Sequence, residues 1–83
     1  MYYTYILESQ SEKGRLYVGS TEDLKARLER HNGGFVRSTK PYCPWEVAYY
    51  EGHRSKTLAR QAELFYKTSQ GRRQLKKKLG SEE

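Results

Sequence analysis

A phenol, a guanidinium and an imidazole stand close together in this chain, at Tyr17, Arg27 and His31, and these three groups suit phosphodiester chemistry. An arginine offers a planar fork that can donate two hydrogen bonds to one phosphate. A phenol near a cation or metal can lose its proton and act as a general base, as can a neutral imidazole. Arg27 and His31 are four residues apart, so on a helix they share one side. Tyr5 supplies a second phenol, and Glu63 supplies a carboxylate among the small neighbours Ala59 and Ala62. One carboxylate, several waters and a substrate phosphate are a common coordination set for Mg²⁺. Each group also has a plainer reading. Arg27 could pair with Asp23 or run out to solvent, His31 could be a hydrogen-bonded core residue, and strands favour tyrosine in any case. A glutamate in mid-helix is usually solvated.

The elements that must position these groups follow from periodicity. Tyr2 to Glu8 reads as a strand with Tyr3, Tyr5 and Leu7 on one face and Tyr2, Thr4 and Ile6 on the other. A polar loop, Ser9 to Gly14, returns the chain into a second strand, Arg15 to Gly19, where Tyr17 faces away from Leu16 and Val18. Ser20 or Thr21 is expected to cap the next helix, with Glu22 and Asp23 complementing its dipole. Leu24 and Leu28 form its apolar stripe, His31 falls beside them, and Arg27 lies at the edge. The helix should stop near Asn32-Gly33-Gly34. Phe35 to Pro44 is a basic, proline-containing loop, and Trp45 to Glu51 a third strand with Trp45, Val47 and Tyr49 on one face. Ser55 caps a second helix running to about Ser69, with Leu58, Ala59, Ala62, Phe65 and Tyr66 on its buried arc and Glu63 at the rim. Gly71 breaks the pattern before a short basic helix, Arg72 to Leu79, carrying Leu75 and Leu79 on one side. Gly80 to Glu83 reads as a tail. The expected fold is α+β, a three-stranded antiparallel sheet flanked by helices in the order β-β-α-β-α-α. It forms one domain over residues 1–83, ordered from about 2 to 79.

Composition narrows the partners. Sixteen Lys and Arg against ten Asp and Glu leave a net charge of +6, which favours a polyanion. Arg37 and Lys40 in the loop, with Lys67, Arg72, Arg73, Lys76 and Lys77 near the C-terminal end, are the residues expected to neutralise a nucleic-acid backbone. A single cysteine, Cys43, excludes an internal disulfide and leaves no cysteine–histidine zinc spacing. Met1 leads directly into a strand-like run, and no apolar stretch is long enough to span a membrane. The expectation is therefore a cytoplasmic protein without a membrane partner.

Taken together, Tyr3-Thr4-Tyr5, Tyr17-Val18-Gly19, Asp23-Leu24 with Arg27, His31-Asn32 and Glu63 resemble the GIY-YIG nuclease domain superfamily, in particular its small stand-alone bacterial members. The resemblance runs from Tyr2 to about Leu79. It is most specific in the block from Tyr17 to His31 and in the spacing of Ala59, Glu63 and Lys67. It implies a nuclease that hydrolyses phosphodiester bonds in DNA, in repair or recombination, with one divalent metal ion, Mg or Mn. By the same resemblance Tyr5 and Tyr17 line the site, and one of Tyr5, Tyr17 or His31 activates or positions the attacking water. Arg27 stabilises charge on the scissile phosphate, and Glu63 holds the metal. The chain departs from the family pattern in three places. The first signature lacks its glycine, with Tyr3-Thr4 preceding Tyr5, Ser20 stands where the repair branch has a lysine, and no asparagine follows in the last helix. Fewer supporting charges imply weak or narrow activity. The partners implied are nucleic acid, DNA ahead of RNA, and a protein supplying specificity, because larger members carry a separate DNA-binding domain. The alternative is a non-catalytic nucleic-acid-binding module that retains the fold.

Overall fold

Aromatic and aliphatic residues in alternation set up β1 (Tyr2–Ser9) and β2 (Leu16–Thr21) in the computed structural model, which describes residues 1–80. The connecting loop turns at Gly14, whose φ of +90° suits a residue without a Cβ. β3 (Trp45–His53) pairs with the other side of β1, giving an antiparallel sheet ordered β2-β1-β3. The first strand is therefore central, and Thr4, Tyr5, Ile6 and Leu7 are its fully buried run. α1 (Leu24–Asn32) covers one face of the sheet; α2 (Lys56–Tyr66) and α3 (Ser69–Lys78) cover the other. Two thin cores result. Tyr5, Leu7 and Trp45 pack with Tyr17, Leu24, Leu28 and Val47 on the α1 side. Ile6, Tyr66 and Leu75 pack with Leu16, Val18, Tyr49 and Leu79 on the other. The α+β order expected from periodicity is the order found. No helix among the described residues is long and apolar enough to cross a membrane.

Several local expectations are corrected, each for a physical reason. Ser20 and Thr21 do not cap α1, because both are still paired in the sheet, opposite Thr4 and Tyr3. The cap is Asp23, whose carboxylate accepts from the backbone N–H of Ala26 at 3.0 Å. β3 continues two residues beyond Glu51 and carries a bulge. Ile6 pairs with Tyr49 but Leu7 pairs with Val47, so Ala48 is the extra residue. That bulge moves Tyr49 to the face opposite Trp45 and Val47. The basic loop contains a short 3-10 turn at Lys40–Tyr42.

α2 is rotated relative to the expected arc. Ala59, Glu63 and Tyr66 are its buried residues, whereas Leu58 and Phe65 are 46% and 37% exposed. The cause is polar anchoring. Thr4 donates to the Ala59 carbonyl at 2.8 Å, and the hydroxyls of Tyr66 and Tyr49 both donate to Glu51 on β3. The helix also ends earlier than Ser69, since Thr68 caps α3 by accepting from the Gly71 N–H at 3.0 Å. Gly71 thus lies in the first turn of α3 and does not break it. Part of the expected tail, residues 81–83, lies outside the described residues.

Gly71 is held by close approach. A Cβ there would come within 2.0 Å of the Phe65 carbonyl oxygen, at the end of α2. Gly71→Ala should lower stability by about 1–3 kcal/mol in urea unfolding, through overpacking. A solvent-facing helical glycine would instead gain up to about 1 kcal/mol from the same change, so the sign is diagnostic.

Candidate active site

The register of the first two strands places Tyr5 directly across from Gly19, and the tyrosine ring lies over the glycine. A Cβ at Gly19 would sit 2.5 Å from the Tyr5 hydroxyl, so the second signature needs its glycine for space. The Tyr5 hydroxyl meets His31 Nε2 at 3.0 Å, and His31 Nδ1 meets Thr39 Oγ1 at 2.8 Å. Thr39 donates its own proton to the Val36 carbonyl at 3.3 Å. Its oxygen therefore accepts from Nδ1–H, which leaves Nε2 to accept from Tyr5. Tyr17 packs on this chain, with its ring centroid 4.9 Å from that of His31 and 6.4 Å from that of Tyr5. Tyr5 and His31 are each only 1% exposed, while Tyr17 is half-buried.

Burial is what chiefly tunes these groups. It raises the Tyr5 phenol to about 12, a rise that the nearby Arg27 guanidinium partly opposes. It lowers the His31 imidazole below its ordinary value, with the charges of Arg27 and Arg30 adding to the effect. Both causes favour the neutral imidazole.

Glu63 reaches the same strand from the opposite face. It was expected at the rim of α2, but it is 6% exposed and held on all sides. Ser20 Oγ donates to Oε1 at 2.8 Å, Arg60 to Oε1 at 3.2 Å, and Lys67 Nζ to Oε2 at 3.0 Å. Burial alone would raise this carboxyl. The hydrogen bonds from Lys67 and Ser20 and the charges of Lys67 and Arg60 outweigh it, so the carboxyl lies below its ordinary value. Glu63 is near enough to the Tyr5 phenol for its charge to oppose ionisation there.

Arg27 does not pair with Asp23, whose carboxylate is used as the helix cap. It lines a cleft of about 390 Å³ together with Ser20, Thr21, Arg30 and Lys56. Tyr5, Tyr17, Arg27, His31 and Glu63 thus gather around β2, four on the α1 side and Glu63 on the α2 side. Of the basic residues expected to meet nucleic acid, Lys67 is committed to Glu63, while Arg37, Lys40, Arg72, Arg73, Lys76 and Lys77 are exposed. Sequence reasoning missed Thr39, Arg60 and the role of Ser20. Arg60 could have been found from its spacing three residues before Glu63. Thr39 gives no local signal, because it reaches His31 only through the folding of an irregular loop. Asn32, seen in the sequence as part of a motif, ties α1 to β3: it accepts from the Trp45 N–H at 2.6 Å and donates to the Trp45 carbonyl at 3.0 Å.

A family model described as the GIY-YIG catalytic domain matches residues 1–78. A UPF0213 protein of Streptococcus sanguinis (strain SK36) is 39% identical over 66 residues, covering 78% of this chain and 74% of the relative. A UPF0213 protein of Streptococcus pyogenes serotype M5 is 40% identical over 73 residues, covering 87% and 77%. The chain is also similar to the structure-specific endonuclease subunit slx1 of Talaromyces stipitatus, 44% identical over 68 residues. That match covers 75% of this chain but only 18% of slx1.

Two measurements test the Tyr5–His31 arrangement. Gly19→Ala should force Tyr5 off His31 and lower stability by about 1–3 kcal/mol. The second concerns pH. Because His31 is depressed in the folded chain, the unfolded chain takes up the proton first on acidification. Stability is then full above the ordinary imidazole value of about 6.5 and falls as the pH drops below it. The Glu63 contribution persists until the pH falls below its ordinary value of 4.5, so the two windows separate. Urea midpoints should decline between about pH 7 and pH 5 in the wild type and flatten in His31→Gln. An unchanged decline in that variant would exclude His31 as its source.

Proposed function

Because the chain belongs to the GIY-YIG catalytic domain family, we propose that it is a nuclease hydrolysing phosphodiester bonds in DNA, with a place in repair or recombination. What supports the reading is the gathering of unlike groups at one strand. Ser20, which holds Glu63, lines the same cleft as Arg27, and Tyr5 feels the charge of both Arg27 and Glu63. The family resemblance brings a divalent metal ion, and the residues present can be tested for it. Among the described residues no group of three or more His, Cys, Asp or Glu could hold an ion, so an all-protein cage does not fit. A single ionised carboxylate does fit Mg²⁺ or Mn²⁺, which retain waters and take an oxygen from a substrate phosphate. Glu63 meets that requirement, because its two cationic partners are exposed and free to swing aside, Arg60 by 62% and Lys67 by 46%. When bound, such an ion offsets the charge that builds on the phosphate and the leaving oxygen.

In this reading Arg27 binds the non-bridging oxygens of the scissile phosphate through its planar fork. Tyr17 contacts the attacking water, since it is the half-buried member of the three candidates for that role. His31 has both ring nitrogens engaged, Nε2 with Tyr5 and Nδ1 with Thr39, so neither is open to a water. Moving a proton from Tyr5, whose phenol burial raises to about 12, to His31, whose imidazole burial lowers, is strongly uphill. Tyr5 and His31 therefore orient the site and do not supply the base at neutral pH. The free Cys43 accords with a reducing, cytoplasmic setting, and a protein partner would supply substrate specificity.

A second reading, a nucleic-acid-binding module without catalysis, is favoured by the saturated state of Glu63, whose partners match those of a structural ion pair. Purified protein with Mg²⁺ or Mn²⁺ should cut at least one of supercoiled, branched or single-stranded DNA, and chelation should stop it. Arg27→Ala and Glu63→Gln should each slow cleavage by about 10²-fold or more. Cleavage at the wild-type rate in both variants would mark a contaminant and overturn the assignment. Binding without cleavage, equal in all three proteins, would establish the module.

A further inference from the structure

A second groove, of about 370 Å³, runs between β2 and α3 on the other flank of the strand. Leu16 and Val18 from the strand and Leu75 from the helix give it an apolar lining. Arg72 and Lys76 contribute two cations, Lys67 lines it while paired with Glu63, and no carboxylate is among the lining residues. The cleft that holds Arg27 differs in this respect, since Glu22 and Asp23 line it alongside its cations. Tyr17 belongs both to the groove and to the candidate active site. Arg72 and Lys76 are exposed and lie one helical turn apart. Their rise of ~6 Å is close to the separation of neighbouring phosphates along one strand.

We infer that this groove holds a single strand of nucleic acid leading away from Tyr17, with successive phosphates on Arg72 and Lys76 and a base against Leu16 and Val18. A duplex keeps its base faces stacked inside and offers a protein surface phosphates and base edges, so an apolar lining beside cations suits the open base faces of an unpaired strand better. A cationic groove that tracks the backbone while bases lie on apolar or aromatic side chains is a sequence-tolerant mode of single-strand binding. The direction of the strand, away from the cut, rests on the nuclease reading; the binding itself does not.

The same helix contains its own control. Arg73 and Lys77 carry the same charges one residue further on, are equally exposed, and do not line the groove. The full chain, with Arg72→Glu and Lys76→Glu together, is compared with Arg73→Glu and Lys77→Glu together. Binding of a labelled single-stranded oligonucleotide is followed by fluorescence anisotropy over a range of salt, in chelator so that hydrolysis plays no part. Circular dichroism checks that both variants fold.

The groove variant should bind the single strand at least tenfold more weakly than the control variant. Its dependence of log affinity on log salt should flatten by about 1.4, at about 0.7 per lost phosphate contact. A duplex of the same length should lose equally in the two variants. Equal losses for the single strand would overturn the groove in favour of a diffuse basic face. The same selective loss for the duplex would overturn the single-strand assignment. Equally tight and equally selective binding of polyglutamate would replace nucleic acid with an acidic polypeptide. Failure of the wild type to cut DNA would sink the hydrolytic reading, while this comparison, made without hydrolysis, would still decide the groove.

Discussion

The contact on which the rest of this small protein depends is that of Tyr5 with Gly19 and His31. Tyr5 comes from the central strand, where every neighbour is already fixed, and its ring crosses the one position of β2 that lacks a side chain. Its hydroxyl then fixes His31, and His31 fixes Thr39 in the following loop. The Trp45 indole donates to the Thr39 carbonyl at 2.9 Å, and Asn32 brackets the Trp45 backbone. One face of the sheet, its helix and the entry to the third strand are thus joined by a single line of buried polar contacts. Buried groups of this kind are costly when unpartnered, so each bond in the line constrains the next.

The other face is organised by a charge. Glu63 is buried in a protein with an excess of cations, and it stays ionised because Lys67, Arg60 and Ser20 reach it together. Two of those partners have solvent-exposed side chains, so the carboxylate is held without being sealed. The arrangement lets this residue serve as a structural anchor for α2 beside β2. Ser20 is what links this carboxylate to the strand.

Between these two faces lies β2, an edge strand bordered by both grooves. An edge strand is usually a hazard, since it offers unpaired backbone to other chains. Here it is short, and its side chains alternate between the Tyr5–His31 chain and the Glu63 cluster. That alternation is what allows a three-stranded sheet to carry groups from both faces to one place. A larger sheet would bury the same strand and separate the two sets.

Much of this was legible in the sequence, because it follows from local rules. The order of strands and helices, the opposite faces of Tyr17 and Val18, and the nearness of Arg27 to His31 are set by periods of two and 3.6 residues. Gly19 could be recognised as a stop, though the ring that requires it could not. The errors share a cause. Thr21 stayed in the sheet because Tyr3 pairs with it, Tyr49 changed face because Ala48 bulges against β1, and α2 turned because Thr4 and Glu51 hold it. Gly71 entered α3 because Thr68 caps that helix, and only a glycine fits there against the Phe65 carbonyl. The sequence by itself determined which residues are near one another along each element, and so the chemistry available. Only the tertiary structure decided that Glu63 is buried and paired, that His31 is buried and bonded to Tyr5, and that Thr39 holds it. Those outcomes depend on desolvation and on contacts between residues far apart in the chain, which no local pattern encodes.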